Sequence, residues 1–189
     1  MASIEKYIVV NQIMKNFNKP WAIAGGWSID LFLGKVTREH DDIEIVLYRK
    51  DQLAIQEYLD DWSFKKMQNR TVLPWARNEH LALPIHETYA EKANEKIEIL
   101  LNELDGEHWL YRRDSRIKRE LDKAFLTTNS GIPILSPEIA LLYKSKDPRP
   151  KDEMDFRNIY NYMSMEQKQW LRDSLRMIYL EHSWIDLLN

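Results

Sequence analysis

The stretch that decides the fold is "WAIAGGWSIDLFLGKVTREHDDIEIVL", Trp21 to Leu47. A short apolar run, Trp21 to Ala24, reads as a strand and breaks at Gly25-Gly26, two of only five glycines in 189 residues. Ser28 to Leu33 then reads as a short helix, with Gly34 as its C-terminal stop. A second apolar run, Ile43 to Tyr48, is rich in β-branched residues, as strands are. Side chains alternate across a strand, so Ile43, Ile45 and Leu47 share one face while Asp42, Glu44 and Val46 share the other. The two carboxylates then sit roughly 6.5–7 Å apart along the strand. The same pattern returns in "IEILLNE", where Ile97, Ile99 and Leu101 alternate against Glu98.

A carboxylate in a strand that is apolar on both sides must be desolvated, protonated or neutralised. Three carboxylates converging from neighbouring strands repel one another, and a divalent cation resolves that conflict. With no Cys and no paired His, oxygen-only ligands point to Mg²⁺ over zinc. A strand with one solvated face alternates in the same way, and the double glycine weighs against that reading. Between a strand and a helix start, the N–H groups of Gly25 and Gly26 can cradle phosphate oxygens, and Ser28 can add a hydroxyl. A phosphate cradle beside a cation site is the apparatus of phosphoryl or nucleotidyl transfer.

Outward from this stretch, Ile4, Ile8, Val9, Ile13 and Met14 recur at helical spacing, and Asn18-Lys19-Pro20 ends that helix. Leu53, Ile55, Tyr58 and Leu59 fit a further helix, and Phe64 to Met67 a third strand. "HLALPIHETY" alternates as an edge strand interrupted by Pro84. In "YRRDSRIKRELDK", Asp114, Glu120 and Asp122 interleave with Arg112, Arg113, Arg116, Lys118 and Arg119, which fits a solvated helical face better than a nucleic-acid surface. Gly131-Ile132-Pro133 marks a boundary, so residues 1–130 form an α/β domain and 131–189 a helical region. Ser136-Pro137-Glu138 starts a helix there, and a long final helix runs from Met165 to Leu188.

Composition sets the frame. Hydrophobic residues make up 44% and charged residues 30%, which is ordinary for a globular chain. A net charge of −3 argues against a general nucleic-acid surface. The absence of cysteine excludes a thiol nucleophile and a disulfide scaffold, and suits a reducing cytosol. The N-terminus lacks the continuous apolar core of a signal peptide, and no window is long and apolar enough to span a membrane. The expectation is a cytoplasmic protein without a membrane partner, a homodimer being left open.

"GGWSIDLFLGKVTREHDDIEI", residues 25 to 45, resembles the signature of the nucleotidyltransferase superfamily. Its GGWxxD and GKxTRxHxD elements look most like the aminoglycoside and lincosamide nucleotidyltransferase branch. Weaker similarity extends to "IEILLNE" and to "IPILSPEIALLYKSKDPRPKDEMDFRNI". The resemblance implies an α+β nucleotidyltransferase fold, a mixed β-sheet with flanking helices followed by a helical C-terminal part. Asp42 and Glu44 match the Mg²⁺-binding pair, and Glu98 matches the third acidic position, a metal ligand or base toward the acceptor hydroxyl. The superfamily usually has Asp at the second and third of these positions. Gly25, Gly26 and Ser28 match the turn that holds the nucleotide phosphates.

Arg38 and His40 precede the acidic strand and either reach a triphosphate or fix Asp42, with a salt bridge to Asp30 or Asp41 as the alternative. Lys144 and Lys151 fall in a region from which the resembling enzymes place cations over the nucleotide, and Asp152 and Asp155 would organise them. The implied activity is Mg²⁺-dependent transfer of AMP from ATP to a hydroxyl of a small molecule, an aminoglycoside or lincosamide antibiotic being suggested by the branch. The alternatives are transfer to a protein or tRNA acceptor, as in toxin-like branches, and a non-catalytic nucleotide-binding module.

Overall fold

The computed structural model describes residues 5–188, so Ile4 of the expected first helix lies outside the described residues. That helix is α1 (Glu5–Met14), followed by β1 (Trp21–Ile23), α2 (Gly25–Leu33) and β2 (Glu44–Tyr48). Helix α2 begins at Gly25, three residues before the expected start. It ends at Gly34, whose φ of 69° lets its N–H turn back to the carbonyls of Asp30 and Leu31.

Next come α3 (Gln52–Tyr58), β3 (Ser63–Gln68), β4 (Thr71–Pro74), β5 (Glu87–Lys92) and the long β6 (Glu95–Asp105). They are followed by β7 (His108–Leu110), β8 (Lys118–Glu120), α4 (Leu121–Ala124), β9 (Phe125–Thr127) and β10 (Pro133–Leu135). Helices α5 (Pro137–Lys144), α6 (Pro150–Ile159), α7 (Met165–Ile178) and α8 (Ser183–Leu187) complete the chain.

One mixed sheet runs in the order β4-β3-β5-β6-β2-β1-β10-β9, with β7 joined to β6 and β8 to β7. Alternation on β2 and β6 is as the sequence predicts. Ile43, Ile45, Leu47, Ile97, Ile99 and Leu101 enter one core with Val10 and Met14 of α1 and Ile55 of α3. Val46 and Tyr48 enter the opposite core with Leu141, Phe156, Leu171 and Trp184 from α5 to α8. Each fully buried aliphatic or aromatic side chain contributes about 1.5–3 kcal/mol over its exposed state, so both faces must be covered for this sheet to persist. Glu44 and Glu98 point to the face covered by the C-terminal helices.

Several elements differ from the sequence reading. "HLALPIHETY" is no edge strand: Ala82 to Ile85 form a turn with a cis Leu83–Pro84 bond, and β5 starts only at Glu87. "YRRDSRIKRELDK" is no long helix. Asp114 accepts the Arg116 N–H at 3.1 Å and Tyr111 pairs with Ile117, so the segment turns back as a hairpin from β7 into β8. A short acidic side chain that satisfies its neighbour's N–H offers the backbone an alternative to helix. The strand β10 lies beyond Gly131 and pairs in parallel with β1, so the sheet extends past that boundary. The final helix is two, because His182 accepts the Trp184 N–H and starts α8 anew, while Trp184 stacks on Phe156 at 4.4 Å.

Candidate active site

Strands β2 and β6 run parallel with Glu44 directly opposite Glu98. Both side chains face a cavity of ≈ 320 Å³ that Ala24, Gly25, Leu100, Asn102 and Leu135 also line. This is within the size range of small-ligand sites. Helix α2 opens toward it with no side-chain cap on its first turn, as an anion-binding helix start requires. Gly25 has φ +61°, and a Cβ there would stand 1.4 Å from Oε2 of Glu44. Gly26 is held to glycine by space alone, since a Cβ would lie 2.1 Å from Nη2 of Arg38 and 2.6 Å from Cε1 of His40. The twin glycines are thus the places where the first turn of α2 is pressed against the acidic strand on one side and the loop before it on the other.

Electrostatics follow from this crowding. Burial pushes the Glu98 carboxyl up to about 8, with Glu44, Glu87 and Asp42 adding to the shift. Burial also raises Glu44, and Asp42 adds to it, while Lys144, Arg149 and Lys151 pull it back down. Two adjacent, desolvated carboxyls with raised pKa values are poised to take up positive charge. Asp42, although close enough to act on both, is exposed and lines the neighbouring groove with Asp41, Asn94 and Lys96. Among the described residues, no three acidic or histidine side chains are gathered into a ready-made metal cluster. The expected trio is therefore a facing pair with its third member at the rim. An oxygen-only donor set, doubly raised and desolvated, fits Mg²⁺.

The other predicted residues divide. Lys144 lines the cavity and donates to Asp152 at 2.8 Å, with Asp155 at 3.0 Å. Against the effect of burial, hydrogen bonds from Arg149 and Lys144 hold Asp152 well below the usual carboxylate range. Asp152 thus positions Lys144 and Arg149, and Asp155 holds Lys144, so the expected organisation is found for Lys144. Lys151 acts on Glu44 from a distance and does not line the cavity.

Ser28 does not reach the cavity: it is fully buried, and its hydroxyl donates to the Gly25 carbonyl at 2.8 Å. Arg38 reaches neither Asp30 nor Asp41 with its guanidinium; it forks onto the fully buried Asp155 with two bonds of 2.9 Å. His40 bonds Asp30 at 2.6 Å and packs against Trp27, the ring centroids 4.3 Å apart and the planes tilted by 30°. Asp30 belongs to that buried pair, its carboxyl raised by burial but held below its ordinary value overall by His40 and Thr37.

Residues that the sequence reading did not assign to the site complete the wall. Arg112, Arg113, Lys146, Arg149 and His86 all line the cavity. Arg112 and Arg113 arrive because β7 pairs antiparallel with the end of β6, Leu110 opposite Glu103, and the turn that follows carries them back over the sheet. Their sequence signal was the dense basic cluster itself, hidden by its helix-like spacing.

A family model described as aminoglycoside-2''-adenylyltransferase matches residues 7–159. Among curated proteins, nothing matches the chain. Of solved structures, the antibiotic-resistance factor ANT(2'')-Ia in solution is similar at 18% identity and TM-score 0.61, over 93% of each chain. The lincosamide antibiotic adenylyltransferase LnuA, lincomycin-bound, is similar at 19% identity and TM-score 0.59, over 86% of this chain and 99% of that one. At such identities the likeness is one of fold, and it agrees with the mixed sheet and helical C-terminal part found here. With its family match spanning the glycine turn, both acidic strands and α6, the chain belongs to the aminoglycoside-2''-adenylyltransferase family and is a nucleotidyltransferase.

Proposed function

We propose that this enzyme transfers AMP from ATP to a hydroxyl of a small molecule, with Glu44, Glu98 and the rim residue Asp42 as its acidic centre. The observation that carries the reading is the Glu44–Glu98 pair, side by side on parallel strands and directly beside the α2 start. The free N–H groups of the first turn of α2 would receive phosphate oxygens, aided by the positive end of the helix dipole. Lys144 and Arg149 supply counter-charge from the opposite wall, already oriented by Asp152.

Glu44, Glu98 and Asp42 would hold Mg²⁺, which when bound neutralises phosphate oxygens and the charge gathering on the departing pyrophosphate. The acceptor oxygen attacks the α-phosphorus, the α–β bridging bond breaks, and the hydroxyl proton passes to Glu98. A carboxylate facing the cavity from the strand beside Glu44 is placed to take that proton.

Aminoglycosides and lincosamides are the first acceptors to try, in keeping with the family description and with lincomycin in the LnuA structure. The test is mass spectrometry of a panel of both classes incubated with ATP, Mg²⁺ and the protein. An AMP adduct that Glu44→Gln and Glu98→Gln both abolish is expected. No adduct on any member sinks the antibiotic acceptor. No pyrophosphate release with any hydroxyl compound sinks the activity.

A further inference from the structure

Arg38 does not line the cavity, yet its guanidinium touches elements from both of the cavity's walls. On one side is the first turn of α2, where a Cβ added at Gly26 would stand 2.1 Å from Nη2 of Arg38. On the other is α6, where the two oxygens of Asp155 accept from Nε and Nη2, each at 2.9 Å. Nη1 donates to the Glu39 carbonyl at 3.0 Å, so all three nitrogens are engaged. The arginine side chain is 13% exposed and the Asp155 side chain is fully buried. A guanidinium fork held on all sides in this way is a fixed joint, unlike a solvated surface pair.

Asp155 has a second cation. Nζ of Lys144 lies 3.0 Å from Oδ2 of Asp155, the same oxygen that accepts from Nη2 of Arg38, and donates to Oδ1 of Asp152 at 2.8 Å. An ammonium has three donors. Two are engaged by the carboxylates, which leaves one for a ligand in the cavity that Lys144 lines. The same lysine bears on the acidic strand: burial raises the Glu44 carboxyl, and Lys144 opposes that rise more than Arg149 or Lys151 does.

The charges in this network are unequal. Arg38, Lys144 and Arg149 face only Asp152 and Asp155, so the group keeps one positive charge. Without Arg38 the two carboxylates would face two cations. Asp155, desolvated and left with a single partner, would then draw Lys144 onto itself, because an unpaired buried carboxylate is costly. A fork that served only to dock α6 would need no lysine on the same carboxylate oxygen.

We propose that Arg38 is a positioning residue for nucleotide binding: by occupying Asp155, it holds the Lys144 ammonium at the cavity wall with charge left for phosphate oxygens. This rests on the proposed nucleotidyl transfer, and gives the arginine of the loop before β2 a part in it without contact to the nucleotide.

The test is a double-mutant cycle read by calorimetry, on the full chain with Mg²⁺ and a non-hydrolysable ATP analogue. Arg38→Gln should weaken binding of the analogue about tenfold, and Arg38→Lys only about threefold, since the charge returns without the fork. Lys144→Gln should itself lose affinity, and adding Arg38→Gln to it should change the affinity by less than about twofold. A purely structural fork would lower the melting temperature in both backgrounds, and its effect on affinity would multiply with that of Lys144→Gln. Should melting curves show that Arg38→Gln is not folded, Arg38→Lys carries the same cycle, with its loss of about threefold expected to vanish in the Lys144→Gln background.

Losses that multiply across the two backgrounds overturn the proposal, as does a folded Arg38→Gln that binds the analogue like the wild type. A wild-type protein that fails to bind the analogue overturns this inference and the nucleotidyl-transfer reading together, so the two failures are told apart in the same titrations.

Discussion

Gly25→Ala separates the two reasons for which a glycine stands at the start of α2, and Gly34→Ala at its other end is the control. Both glycines have a left-handed backbone, φ +61° and +69°. An alanine in that region costs roughly 1–2 kcal/mol. Around Gly34 a Cβ meets nothing within 4 Å, so its substitution should cost that strain alone. At Gly25 the Cβ would stand 1.4 Å from Oε2 of Glu44, and non-bonded carbon–oxygen approaches under 3.0 Å essentially never occur. The carboxylate oxygen must therefore retreat by at least 3.0 minus 1.4, or 1.6 Å. Because that oxygen ends a flexible side chain, the retreat itself costs little stability.

Its catalytic cost is large. A misplacement of about 1 Å at a reacting centre can lower the rate about 100-fold, equivalent to about 2.7 kcal/mol of barrier. Both variants should then lose about 1–2 kcal/mol, a fall of about 2–8 °C in melting temperature for a chain of this size. Only Gly25→Ala should lose transfer activity, by about 100-fold or more. Differential scanning fluorimetry and pyrophosphate release measure the two quantities on the same preparations. Gly25→Ala with activity within about threefold of Gly34→Ala would refute the assignment of Glu44 to the reacting centre.

Further outcomes are expected elsewhere. Glu98→Gln should abolish transfer and yet stabilise the metal-free protein at neutral pH. The folded Glu98 titrates at about 8 while an unfolded glutamate titrates at about 4.3, so wild-type stability falls as pH rises through that window. Discounted for partial exposure, the gain is about 1–2 kcal/mol, and a pH series of melting curves in EDTA should show it vanish below pH ~4.3. In acid the opposite sign applies: Asp30 and Asp152 are held below their ordinary values, so the stability they give is complete above pH ~3.9 and lost as pH falls further. Asp30→Asn should flatten the acid limb of that curve, and an unchanged limb would show that the His40–Asp30 pair is not its source. Asp155→Asn breaks the fork from Arg38 and the contact to Lys144 inside the protein, and should cost about 3–5 kcal/mol in urea unfolding.

The acidic pair was legible in sequence because it violates a local rule. Glutamates in two strands that are otherwise apolar on both faces demand a compensating charge, and a period of two fixes which face they share. The pairing of Glu44 with Glu98 then needed only that the two strands be neighbours. Ser28 was misplaced by phase: once α2 starts at Gly25, the hydroxyl falls one turn in, where it back-bonds to the Gly25 carbonyl.

The partner of Arg38 had no local signal, since Asp155 is 117 residues away and meets it only when α6 docks against the loop before β2. Arg112 and Arg113 were hidden by a stronger local signal pointing elsewhere, interleaved charges at helical spacing that Asp114 converts into a turn. Both failures are of one physical kind. Periodicity reports what a segment does with its own backbone and one apolar face, whereas a site's cations are placed by the turns and docked helices that carry them over the sheet. The acidic pair proposed as the reacting centre was therefore readable from the strands. The basic wall of the cavity came into view only with the packing of β7, α5 and α6 around it.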